Sequence, residues 1–285
     1  MKLPPFDYAA PTTVAEAVAL LAAHDGEAKP LAGGQSLVPM LALRVAAPSL
    51  LVDLRNLAEL RQIAITGDGV TLGAMVRWRD ILEHPGLPFA HPLLVKAVEQ
   101  VAHYQIRNRG TVGGSLAHAD PAAELPGVAV ACEAEITALG KDGPRTIRAA
   151  EFFRGPLLTA LKSDEIITAI KFPAWPARRR FGFAEFARRR GDFALAAALV
   201  FYDKDEAGAA GNAHVGAIGV ADQPLRLVAA EQALNGRRVD PATIAQASAA
   251  ASAAVDPPDD IHAGGAYRKT LIGVMVERAL RSAVA

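Results

Sequence analysis

The sequence predicts an α+β protein built as two domains, and three observations carry that expectation. Its 285 residues exceed the roughly 100–200 of an average domain. Helical and strand-like patterns alternate up to residue 173, with hairpin signals at Asp68-Gly69 and Asp142-Gly143. A proline- and arginine-rich break, "FPAWPARRRF", then precedes a shorter stretch with strands first and helices last. The expected division is 1–176 and 177–285, the first part itself splitting at about residue 55.

The elements follow in order. Thr13 stands three residues before Glu16, a capping-box spacing, and Val14, Ala17, Val18 and Leu21 then share a helical face that ends at Gly26. "AKPLAGG" reads as a short strand entering a Gly-Gly pair, "SLVPMLALR" as a helix and "SLLVDLRN" as a strand, which makes the first part a small α/β unit. "LRQIAITGDGVTLGAMVRW" is the first hairpin, Trp78–Leu82 and Pro92–Ala102 are helical, and "HYQIRNRG" leads to a second Gly-Gly. "AAELPGVAVACEA" reads as a helix, "EITALGKDGPRTIRAAEFF" as the second hairpin and "DEIITAIKFP" as a strand. A linker is expected at about 173–180. Beyond it "FAEFARRRGDFALAAALVFYD" and "NAHVGAIGVA" read as strands, "PATIAQASAAASAAV" and "YRKTLIGVMVERALRSA" as helices.

Composition narrows the function. With 51% hydrophobic, 21% charged and 6% aromatic residues, the chain has a large core of Ala, Val, Leu and Ile, and fits no disordered or fibrous class. Lys and Arg balance Asp and Glu at 30 each, so the basic excess of a nucleic-acid or anionic-membrane binder is missing. The start, "MKLPPFDYAAPTT", lacks a secretory apolar run, and no apolar segment reaches the ~18 residues of a membrane span, so the cytoplasm is the expected location. Cys132 is the one cysteine, whereas an iron-sulfur cluster takes about four and zinc sites usually several. It lies in "GVAVACEAEI", where it reads as a small buried hydrophobe. No metal-ligand spacing occurs among the histidines.

The two Gly-Gly stretches, "LAGGQSL" and "TVGGSLAHADPAAELP", are the candidate site. A strand running through Gly-Gly into a helix leaves N–H groups unpaired where no side chain intrudes, which suits a phosphate. Gln35, Ser36, Thr111 and Ser115 add hydrogen-bonding groups without bulk. Two such loops, with Gly33 and Gly113 80 residues apart, would suit a ligand carrying two phosphates. The competing reading is that the glycines serve tight turns and close packing. Neither stretch is a G-x-G-x-x-G or a G-x-x-x-x-G-K-[ST] motif, which disfavours a Rossmann domain or a P-loop.

"AGGQSL" at 32–37, "TVGGSLAHADPAAELP" at 111–126 and "ARRRGDFALA" at 187–196 resemble the FAD-binding medium subunit of the molybdenum hydroxylase (xanthine dehydrogenase) family, and most of all that of aerobic carbon monoxide dehydrogenase. The resemblance covers the whole chain. It implies a two-subdomain FAD-binding domain of the vanillyl-alcohol oxidase (PCMH) type and a smaller α+β flavoprotein C-terminal domain. It implies that Ala32, Gly33, Gly34, Gln35 and Ser36 with Thr111, Val112, Gly113, Gly114 and Ser115 hold the FAD pyrophosphate, and that Lys29 and Leu37 flank the cofactor. Glu124 and Asp120 are expected on its sugar or ribityl hydroxyls, since carboxylates accept hydrogen bonds strongly. Asp120 fits equally as a cap before Pro121. Asp192-Phe193 falls where the family sets a residue against the isoalloxazine ring, often Tyr in the carbon monoxide enzymes; the Phe removes a hydroxyl.

What the resemblance implies for function is an electron-transfer oxidoreductase subunit with non-covalent FAD and no catalytic acid, base or nucleophile of its own. Molybdenum-pterin and iron-sulfur clusters belong to a large and a small partner subunit, in a dimer of heterotrimers. The alternative is a self-sufficient FAD-dependent oxidoreductase of the same fold. His118 reads as a structural hydrogen-bonding residue ahead of a general base. Arg178–Arg180 and Arg188–Arg190 read as solvated surface or, with Phe181 and Phe183, as a docking interface.

Overall fold

The first strands pair in parallel. In the computed structural model, which describes residues 2–284, β1 (Asp7–Ala9), α1 (Val14–Ala23), β2 (Ala28–Leu31), α2 (Leu37–Ala42) and β3 (Leu50–Asp53) form a sheet of order β1-β3-β2. The Thr13 hydroxyl accepts from Glu16 N–H at 3.2 Å, and Glu16 accepts in return from Thr12 N–H at 2.9 Å. Val14, Ala17, Val18 and Leu21 are the buried face of α1, as their spacing predicts.

β4 (Ile63–Thr66) and β5 (Gly69–Gly73) begin the second sheet. The helices α3 (Trp78–Glu83), α4 (Leu87–Ala90), α5 (Pro92–Val98), α6 (Tyr104–Arg107), α7 (Val112–His118) and α8 (Glu124–Ala131) follow. Then come β6 (Glu135–Gly140), β7 (Gly143–Arg148), the single turn α9 (Ala149–Phe152), a small hairpin of β8 (Phe153–Gly155) and β9 (Leu158–Thr159), and β10 (Ile166–Pro173). The sheet is antiparallel in the order β4-β5-β10-β6-β7. Both hairpin turns sit one residue earlier than expected, at Gly67-Asp68 and Lys141-Asp142, because Gly69 and Gly143 are the first residues of the returning strands. Gly69 has φ +133°, and a Cβ there would lie 2.0 Å from the Phe172 carbonyl oxygen. The helix expected to reach Ala102 stops at Val98, and Ala102 itself is left-handed at φ +41°.

The connection expected at 173–180 is shorter. β10 runs to Pro173 and β11 (Arg179–Phe186) starts at Arg179, leaving five residues, 174–178, between them. With β12 (Ala196–Lys204), β13 (Ala210–Ile218) and β14 (Leu225–Arg226) it makes an antiparallel sheet covered by α10 (Val228–Leu234), α11 (Pro241–Ala253) and α12 (Gly265–Val284). β12 shows why its sequence does not alternate. Ala196, Ala198, Val200 and Tyr202 enter the core under the C-terminal helices, while Ala197, Leu199 and Phe201 enter the core of the second sheet and α8. A strand buried on both faces reads as a continuous apolar run.

Among the described residues no helix is long and apolar enough to cross a membrane, and no group of three or more metal-ligating side chains converges.

Candidate functional site

A cavity of about 700 Å³ opens between the β2–α2 connection on one side and α7 on the other, and the loop before β12 reaches its wall. Both Gly-Gly stretches face it. A Cβ on Gly114 would stand 3.7 Å from the Ala32 Cβ, which places the two stretches in near contact.

They are built differently. Among the described residues, the N–H groups of Gly33, Gly34, Gln35, Ser36 and Leu37 meet no acceptor. Five consecutive donors in a cavity wall are what an anion requires, because a buried N–H without an acceptor is costly. Gly34, at φ +73°, turns the backbone to create this row. The second stretch presents no such row. Its Gly-Gly lies inside α7 rather than before it, Val112 N–H donates to Val76 O at 2.9 Å, and Gly113 N–H to Ala74 O at 2.8 Å. Gly114 N–H donates to the Thr111 hydroxyl at 3.1 Å, which makes Thr111 the N-cap of the helix.

The packing reading of the glycines is therefore also met. A Cβ on Gly33 would lie 2.1 Å from the Arg109 carbonyl oxygen, and one on Gly113 2.6 Å from the Ala74 Cβ. The Gly33 carbonyl is held by Gln35 Nε2 at 2.9 Å and Arg109 Nε at 3.4 Å, so the Gln35 amide nitrogen is engaged within the loop. The hydroxyls of Ser36 and Ser115 have no protein partner among the described residues and line the cavity.

Of the sixteen residues expected at the site, all but Val112 line the cavity; its side chain is fully buried in the core of the second sheet. Lys29 stands on β2 and Leu37 opens α2, both at the wall. Asp120 keeps both of its readings: Oδ1 accepts from Ala122 N–H at 2.8 Å, a turn-capping bond, and the residue faces the cavity. Glu124 opens α8, and burial, reinforced by the charge of Asp120, pushes its carboxyl up to about 7. The His118 side chain makes no hydrogen bond with the described residues, so the structural bond expected for it is absent, and the residue lines the cavity. Asp192 and Phe193 lie in the wall, with Phe193 67% exposed at the mouth.

Sequence reasoning missed one wall. Trp78 and Ile106 contribute to it, as do Leu157 and Leu158 at the tip of the β8–β9 hairpin. Those two leucines are 52% and 57% exposed, and apolar residues on a hairpin too short to bury them were the available signal.

A family model for the FAD-binding domain in molybdopterin dehydrogenase matches residues 4–175, and one for the CO dehydrogenase flavoprotein C-terminal domain matches residues 181–283. The chain belongs to the FAD-binding subunits of the molybdopterin dehydrogenases. Its relatives in this family include the 6-hydroxypseudooxynicotine dehydrogenase complex subunit alpha of Paenarthrobacter nicotinovorans, 38% identical over 100% of this chain and 96% of that one. The carbon monoxide dehydrogenase medium chain of Hydrogenophaga pseudoflava is 36% identical over 98% and 97%. A solved carbon monoxide dehydrogenase from Hydrogenophaga pseudoflava, lacking the Mo-pyranopterin moiety of its cofactor, superposes with a TM-score of 0.96 at 38% identity, covering 100% and 99% of the two chains. The two-part FAD-binding fold with its flavoprotein C-terminal domain, and an oxidoreductase role, follow from this membership. The five free N–H groups and the unpartnered Ser36 and Ser115 hydroxyls fit the pyrophosphate of FAD, and the exposed Phe193 ring fits a planar ring system.

Proposed function

We propose that this chain is the FAD-carrying electron-transfer subunit of a heterotrimeric molybdenum-containing hydroxylase or dehydrogenase, relaying electrons from iron-sulfur clusters of a small subunit to an external acceptor. A large subunit carries the molybdenum-pterin cofactor and oxidises the substrate, and the complex is a dimer of heterotrimers in the cytoplasm. The observation that carries the reading is the row of five unpaired N–H groups at Gly33–Leu37, facing the second Gly-Gly stretch across one cavity. FAD supplies the two-electron chemistry, and the chain supplies binding and electrostatics. The Gly33–Leu37 row, Ser36 and Ser115 hold the pyrophosphate; Thr111, Val112, Gly113 and Gly114 hold the opposing helix in register; Lys29 adds positive charge. Glu124 and Asp120 bind sugar or ribityl hydroxyls, and Asp192-Phe193 covers the ring. Attachment is non-covalent: burial pushes the Cys132 thiol up to about 12, and Cys132 lies outside the cavity wall. The same reading divides the chain into an FAD-binding domain, 1–176, with subdomains at about 1–55 and 56–176, and a C-terminal domain, 177–285.

A single cysteine leaves this chain without the ligands for a cluster of its own, which agrees with electrons arriving from clusters of a partner subunit. The self-sufficient oxidoreductase stays as the second reading because Glu124 and His118 line the same cavity and could serve as proton donors. The FAD-loaded chain alone should be nearly inert, and co-expression with the two partner subunits should give an active complex. Turnover of a small organic substrate by the isolated chain on the order of 10 s⁻¹ would overturn the proposal in favour of the self-sufficient enzyme.

A further inference from the structure

A second cleft, of about 550 Å³, lies on the C-terminal sheet and shares no residue with the FAD cavity. Arg180 on β11 and Tyr202 on β12 are cross-strand partners, and Lys204, two residues further along β12, stands on the same face. Arg238, in the approach to α11, and Val284, at the end of α12, close the other side. The C-terminal helices hold the Tyr202 ring in their core at 3% exposure. Tyr202 lines the cleft, and its hydroxyl has no hydrogen-bond partner among the described residues.

Core tyrosines usually find a partner for that hydroxyl. A phenol delivered through a packed core to a cleft wall, without one, asks for an acceptor from outside. The charges around it say which kind. Arg180, Lys204 and Arg238 make no ion pair among the described residues; Arg238 donates only to the Ala207 carbonyl, at 3.1 Å. Two carboxylates share the cleft. Asp240 is engaged, accepting from Thr243 N–H at 2.8 Å as the N-cap of α11, and Glu206 sits in the exposed β12–β13 connection. Cations thus outnumber carboxylates, and burial raises the Tyr202 hydroxyl above the usual phenol range, so it stays a donor at neutral pH.

We propose that this cleft binds a small phosphate-type oxyanion, with Arg180, Lys204 and Arg238 supplying the charge and the Tyr202 hydroxyl a directed hydrogen bond. Guanidinium groups suit the task because each offers several donors in one plane to the oxygens of such an anion. The site is independent of the FAD reading.

The test titrates the full chain, its first cavity saturated with FAD, with inorganic phosphate in a calorimeter, against chloride at matched ionic strength. One saturable site is expected for phosphate and none for chloride. Arg180→Gln and Arg238→Gln, both at exposed side chains, should each weaken binding about tenfold, or ~1.4 kcal/mol. Tyr202→Phe, which preserves the buried ring, should weaken it by about threefold. Phosphate heats no different from those of chloride would overturn the proposal, as would an affinity in both arginine variants equal to that of the unsubstituted chain.

Discussion

Gly33 has no room for a side chain, and the reason is protein rather than ligand. From sequence, a valine there should expel the flavin and leave the fold intact. With its Cβ 2.1 Å from the Arg109 carbonyl oxygen, Gly33→Val must also push the 109–110 segment away. It is expected to lose about 1–3 kcal/mol of stability together with FAD, read by thermal unfolding and by the flavin absorbance of the purified protein. Glu185 gives a second residue-scale expectation. Burial, with the charge of Glu124, pushes its carboxyl up to about 8 from an ordinary 4.5, and one of its oxygens is buried without a partner. The native state therefore holds a proton that the unfolded chain releases at lower pH. This contribution is complete below about 4.5, declines as pH rises and is gone above about 8. Urea midpoints should fall across that window, with Glu124 adding to the fall up to about 7, and Glu185→Gln should flatten the slope.

The Thr111 hydroxyl caps helix α7. Thr111→Val keeps the shape but removes the acceptor of the Gly114 N–H, and is expected to cost about 1 kcal/mol and to speed amide exchange at Gly114. FAD retention should fall as the wall frays. Such local bonds are what a sequence discloses well. The Thr13–Glu16 spacing and the four apolar positions of α1 are legible because every partner lies within one or two turns. The candidate site was legible as residue types for the same reason, since two Gly-Gly stretches, each with a serine close behind, can be seen without knowing where they meet. Their different construction was not. Gly113 sits inside a helix because Ala74, 39 residues earlier, packs against it, and that neighbour has no local signature. β12 hid its period because two separate cores cover its two faces.

Across the whole molecule, the second and third sheets meet at one aromatic joint. The Arg179 guanidinium sits 4.5 Å from the Phe201 ring and 5.0 Å from the Trp175 ring, and pairs with Asp203 at 2.8 Å, both side chains only 11% exposed. The two arginine triplets look alike in sequence, yet Arg179 belongs to the framework, and Phe181 and Phe183 are half-buried against the core. Arg188, Arg189 and Arg190 are exposed beside the cavity mouth. Reversing their charge is expected to weaken a complex with the partner subunits while retaining FAD, by size-exclusion chromatography and absorbance. Arg179→Glu should instead lower stability by about 3–5 kcal/mol, because Asp203 would be left buried and unpaired. The same layout makes the molecule its own optical gauge. Its two tryptophans are divided between the two places that matter: Trp78 in the cavity wall, and Trp175 in the joint between His91, Phe181 and Phe201. Light absorbed by the first should drain into a bound flavin, so loading dims its emission and Trp78→Phe removes most of that response. The glow that remains comes from the joint, and its colour reports whether the two sheets still hold together.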